Sequence, residues 1–97
     1  MTFITDIQEI NVVASFGSFL SGKSQHRITP HRFMMKNGEV LHIAKVRRRY
    51  TDTVGDSLHL HFVVRTKDDR YFDIVYDSKK IMWYKIIEIE DALMFND

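Results

Sequence analysis

The stretch Leu58-His59-Leu60-His61-Phe62-Val63-Val64-Arg65-Thr66-Lys67-Asp68-Asp69-Arg70-Tyr71-Phe72-Asp73-Ile74-Val75-Tyr76-Asp77 decides the fold. Leu58, Leu60, Phe62 and Val64 recur at every second position, the period of a strand that buries one face. The run after Arg70 is aromatic and β-branched, which suits a pleated surface. With Lys67-Asp68-Asp69 as a three-residue loop, Val64 stands opposite Phe72, Phe62 opposite Ile74 and Leu60 opposite Tyr76. A two-residue loop sets apolar against polar along the whole ladder, and a single slip moves every side chain to the wrong face. The stretch is therefore an antiparallel hairpin with one apolar face.

The same rhythm extends on both sides. Residues 39–50 form a long strand whose period breaks, because Val46 follows Ile43 by three. A β-bulge near Ala44-Lys45 restores Val46 to the inner face and bends the strand. Before it, Arg32-Phe33-Met34-Met35-Lys36 is a strand closed by Asn37-Gly38, whose type I′ turn requires positive φ at both residues. Residues 51–56, containing Gly55, and residues 77–80 are turns. Residues 81–90 are the last strand, with Trp83, Ile87 and Ile89 read as one face. Ile10, Val12 and Ala14 alternate as a first strand. Phe3, Ile4 and Ile7 have helix-like spacing, so a short N-terminal helical turn is expected. Residues 15–25 are rich in Gly and Ser and read as a mobile loop, and 92–97 as a tail. The expectation is a single all-β domain over 1–97: a small antiparallel β-barrel or strongly curved meander of about six strands. Closure is favoured because an open sheet of this size exposes both edges.

Composition narrows the function classes. With 97 residues, 44% of them hydrophobic, one buried core is expected. The chain has no cysteine, which excludes disulfides, thiolate zinc sites and Cys nucleophiles and fits a reducing cytoplasm. The first residues lack the basic and apolar regions of a signal peptide, and no apolar run approaches membrane length. The net charge of +1 hides an uneven distribution. Residues 1–50 carry eight Lys/Arg and three Asp/Glu, a balance of +5; residues 51–97 carry six and ten, a balance of −4.

The segment Tyr71-Phe72-Asp73-Ile74-Val75-Tyr76-Asp77, then Trp83 and Ile89-Glu90-Asp91, resembles a small bacterial β-domain family of unknown function. Its members read Tyr-Asp-Leu-x-Phe-Asp, then Trp, then a strand ending in Asp. Arg32-Phe33, Gly38, Ile43 and Val46 look like the strand pair that precedes this pattern in the family. The resemblance spans Phe33 to Asp91, and the spacing after Trp83 differs by one residue. It implies a small bacterial β domain and brings no catalytic residues with it.

Three constellations point to chemistry. Gly17-Ser18-Phe19-Leu20-Ser21-Gly22-Lys23-Ser24 matches the phosphate-loop pattern in full. Its phosphate-binding power needs a following helix N-terminus, and Pro30 with a strand at Phe33 leaves no room for one. No nucleotide is therefore expected, although a Gly-rich loop touching an anion stays open. His59 and His61 share a strand face, and the hairpin register sets His59 opposite Asp77, with Asp73 nearby. His59, His61 and Asp77 are thus candidate metal ligands for a metal-dependent enzyme. The third is Lys45-Val46-Arg47-Arg48-Arg49-Tyr50. Strict alternation puts Arg47 and Arg49 on one face, and with Lys45, Arg65 and Tyr71 they form a candidate nucleic-acid groove. Each has a plainer counterpart: cross-strand His–Asp pairs, and a solvated face of Arg paired with Asp.

No nucleophile–base–acid set emerges and no cofactor is called for. The expectation is a non-catalytic binding or assembly module with a protein partner. Self-association through the edge of the first or last strand is one form of it. The nucleic-acid barrel and the metal-dependent enzyme are the alternatives.

Overall fold

In the computed structural model, the structure describes the backbone of residues 3–17 and 28–89 and the side chains of residues 7–17 and 28–89. Six strands follow in chain order: β1 (Phe3–Phe16), β2 (Ile28–Met34), β3 (Val40–Val54), β4 (Ser57–Thr66), β5 (Tyr71–Asp77) and β6 (Met82–Ile89). Each pairs antiparallel with the next, and β6 pairs back onto β1, so the sheet closes into a barrel. Among the described residues no helix is long and apolar enough to cross a membrane.

The β4–β5 hairpin has the register that its apolar alternation predicts. Val64 pairs with Phe72, Phe62 with Ile74, Leu60 with Tyr76 and His59 with Asp77. Asp69 closes the three-residue loop at φ 64°, a left-handed conformation that Asp tolerates well. The Asn37-Gly38 turn is also a hairpin, but a three-residue one. Gly38 N–H donates to the Met35 carbonyl (2.9 Å), and Gly38 alone has positive φ, at 89°. It is a type I turn with a glycine bulge rather than type I′. The expected bulge lies between Ile43 and Lys45, and a second lies between Val46 and Arg48.

Long strands make closure possible. β1 pairs with β6 up to Ile10 opposite Trp83, then with β2 from Asn11 opposite Met34. β3 pairs with β2 through His42, then with β4 from Ile43 onward. Two strands that change partners halfway bend the sheet on itself. Inside sit Ile10, Phe33, Leu41, Leu60, Phe62, Val64, Phe72, Ile74 and Trp83, all buried. Phe33 and Phe72 meet edge to face, centroids 5.2 Å apart. Burying each such side chain stabilises the fold by about 1.5–3 kcal/mol.

Four further expectations need correction. The N-terminal helical turn is a strand: Phe3 pairs with Ile89 and Thr5 with Ile87, and the ladder supplies backbone partners that a lone helical turn lacks. Ser15 and Phe16 belong to β1 rather than to a loop; residues 18–25 and the 92–97 tail lie outside the described residues. β3 runs on to Val54, and Gly55 at φ 62° makes a tight turn back into Ser57. Finally, Trp83 does not share a face with Ile87 and Ile89. A bulge shifts the β5–β6 register between Asp73 and Ile74, so Lys85 stands opposite Ile74 while Ile87 and Ile89 stand opposite Asp73 and Tyr71. A fully alternating strand would have held all three together.

Candidate functional site

The three consecutive arginines illustrate how the barrel distributes its polar groups. The bulge after Val46 removes one step of alternation. Arg48 then pairs with Val63 and faces outward, its guanidinium 5.4 Å from the centre of the Tyr50 ring. Arg49 pairs with Phe62 and turns inward, 5.5 Å over that ring. Its Nη1 donates to the Ile28 carbonyl at 2.7 Å, bridging β3 to the start of β2. Arg47 occupies the bulge itself. Lys45 is exposed and sits opposite Arg65, which reaches Asp69 at 3.2 Å. Tyr71 is buried and pairs with Arg65. Lys45, Arg65 and Tyr71 thus share a neighbourhood, whereas Arg49 is committed to the barrel interior.

The histidines form two couples on the outer face of β4 and β5. His59 Nε2 lies 3.2 Å from Asp77 Oδ2, and His61 Nδ1 lies 3.2 Å from Asp73 Oδ1. Each couple is extended by other groups. Asp77 Oδ1 accepts Ser57 Oγ–H (2.6 Å) and the amides of Lys79 (3.0 Å) and Lys80 (3.1 Å). Those bonds, led by the Ser57 hydroxyl and helped by His59, hold the Asp77 carboxyl down at about 2. Asp73 Oδ2 accepts the Tyr50 hydroxyl at 2.8 Å, and the Tyr50 ring stacks on His61 with centroids 4.4 Å apart. Burial first, then the bond to Asp73, push the Tyr50 phenol well above its ordinary value.

In this arrangement the Ser57 and Tyr50 hydroxyls both donate to carboxylates. The Ser57 hydroxyl keeps its proton and points it at the ionised Asp77 carboxylate, and among the described residues no histidine accepts from it. Tyr50 stays protonated. Among the described residues no three His, Asp or Glu side chains gather as a metal-ligand set, so His59, His61 and Asp77 stand as parts of two separate couples. The cation at the opposite rim is likewise occupied. Arg70 bonds both Glu88 oxygens (2.9 and 3.0 Å) and Glu39 (2.7 Å), tying the β4–β5 connection to β6 and to the β2–β3 turn. Glu88, then Glu39, raise the Arg70 guanidinium above its already high value, against the effect of burial. In the Gly17–Ser24 string, residues from Ser18 onward lie outside the described residues, and the described chain resumes at Ile28 as a strand.

A different region is open. A groove of about 520 Å³ runs over the middle of β1, between Met34, Met35 and Lys36 on one side and Ile81, Met82 and Trp83 on the other. A second depression of about 370 Å³ adjoins it, sharing Asn11 and Met34 and reaching Val13, Arg32, Val40 and His42. Val13, Met34, Val40 and Ile81 are all exposed there. Sequence reading passed over this region because single outward apolar residues on strands are ordinary. Only the pairing of β6, β1, β2 and β3 makes them neighbours.

Comparisons with family models, with curated proteins and with solved structures find no match to this chain.

Proposed function

We propose that the chain is a non-catalytic binding module of the cytoplasm that docks a protein partner on the outer face centred on β1. The observation that carries this reading is the pair of joined depressions lined by Val13, Met34, Val40 and Ile81. Outward apolar side chains contribute nothing to the barrel core, and clustered ones mark interaction sites. The polar rim of Glu9, Asn11, Arg32, Lys36 and His42 has the mixed character of an interface edge. The Ser57 and Tyr50 hydroxyls, the Asp73 and Asp77 carboxylates and the His59 and His61 rings are bonded within their two couples, which supports a non-catalytic role. The lack of cysteine fits a reducing compartment.

The test is affinity capture with the wild-type chain beside a Val13→Asp/Met34→Asp variant. A protein bound by the wild type and lost by the variant supports the face. Equal recovery on both refutes it. Heteronuclear NMR titration with single-stranded DNA and RNA tests the nucleic-acid alternative. Salt-sensitive shifts at Lys45, Arg48 and Arg65, with none along β1, would replace the proposal. Zinc titration tests the metal alternative through the His59 and His61 ring signals.

A further inference from the structure

We infer that the partner of this face is a second copy of the chain; the inference rests on the binding-module reading above. Barrel closure leaves no edge on β6, which pairs with both β5 and β1. Of the two strand edges expected from sequence, that of the last strand is therefore closed; β1 keeps half-edges where it changes partner, and the outer face over β1 is the other route to self-association.

The register fixes the layout of that face. Across the surface the strands run β6, β1, β2, β3. Asn11, Met34 and Val40 lie in one row. Toward the start of β1 lies Glu9, with Lys36 alongside, since the Lys36 amide reaches Gln8 Oε1 (3.3 Å). On the other flank the β1–β6 ladder ends at Ile10 opposite Trp83, so Met82 stands level with Asn11 and Ile81 follows. A two-fold axis along the strands, midway between β1 and β2, suits this layout. It lays β1 of one copy over β2 of the other, and β6 over β3. Glu9 then meets Lys36 and Met82 meets Val40, each twice, as an isologous contact requires.

Two further observations favour this occupant. Glu9 and Lys36 line one groove, and neither has an ion-pair partner among the described residues. A face bearing charges of both signs, unpaired among the described residues, is complementary to itself, and a net charge of +1 imposes no long-range repulsion between copies. Ile81 is the second. It is held at φ 56°, where β-branched residues are rare, and the residue is 73% exposed. Gly or Asn would make this turn with less strain and no apolar exposure. An isoleucine there is accounted for by a contact outside the single chain.

Sedimentation velocity of the full chain tests this from about 5 to about 500 μM, a span that brackets the affinity of a modest interface. The expected result is a concentration-dependent dimer. Glu9→Lys alone and Lys36→Glu alone each weaken it about tenfold or more, through two lost attractions and two new repulsions. The Glu9→Lys/Lys36→Glu double variant restores it. Ile81→Asp gives a monomer with an unchanged circular dichroism spectrum. A monomer at every concentration overturns the inference, and so does a dimer indifferent to both charge reversals. If the chain is monomeric but the Val13→Asp/Met34→Asp variant still loses a captured protein, only self-association falls. If both experiments fail, the binding face falls with it.

Discussion

Arg48 and Arg49 are neighbours of identical chemistry, and the barrel predicts opposite consequences for removing them. Arg49 donates to the Ile28 carbonyl at 2.7 Å and lies 5.5 Å over the Phe62 ring. A hydrogen bond from a charged donor contributes about 1.5–3 kcal/mol. The cation–π contact adds about 0.5–2 kcal/mol in a partly desolvated setting. The two share one guanidinium, so Arg49→Ala should cost about 3 kcal/mol rather than their full sum. In a domain of this size that lowers Tm by roughly 12–24 °C. Arg49→Lys should recover little, because an ammonium cannot both lie flat over the Phe62 ring and donate to the Ile28 carbonyl. Arg48 faces solvent over Tyr50, and Arg48→Ala should cost less than about 1 kcal/mol. Urea unfolding followed by Trp83 fluorescence measures all three. Equal losses for Arg48→Ala and Arg49→Ala, or a loss under about 0.5 kcal/mol for Arg49→Ala, would refute the second bulge and the inward turn that it creates.

Three other perturbations follow from the same structure. Phe72→Ala removes a fully buried ring from its edge-to-face contact with Phe33 and should cost about 3–5 kcal/mol in chemical denaturation; a loss near 1 would mean an unsealed barrel. Tyr50→Phe leaves the ring stacked on His61 but deprives Asp73 of a hydroxyl donor, and should cost about 1.5–3 kcal/mol, with a wild-type melting curve counting against the bond. Asp77 is held at about 2 in the folded chain, below its ordinary value of 3.8, so its stabilising effect is present above pH 4 and is lost as the pH falls toward 2. Thermal melts from pH 5 to pH 2 should show that loss, and Ser57→Ala should flatten it; identical acid limbs would exclude the Ser57 bond as its cause.

Short-range pattern was readable without coordinates because it is local physics. Apolar alternation at Leu60, Phe62, Val64 and at Phe72, Ile74, Tyr76 admits one in-register hairpin, and the structure has it. The period break at Ile43 and Val46 announced a bulge, and the loops at 67–69 and at Asn37-Gly38 announced turns, although the Asn-Gly turn took another form. The pairing of His59 with Asp77 followed from that same register. What the chain alone left undecided depends on residues far apart in sequence. Phe3 becomes a strand only because Ile89 lies beside it, and no local preference encodes that pairing. The bulges after Val46 and within β6 leave no period break that single-strand alternation registers as one. Yet they turn Arg49 inward and place Ile87 and Ile89 away from Trp83. The candidate docking face is the extreme case. Its side chains come from β1, β2, β3 and the turn before β6, and each is unremarked in its own strand. Alternation sets which side of a strand a residue occupies, but only closure sets which strands stand next to it.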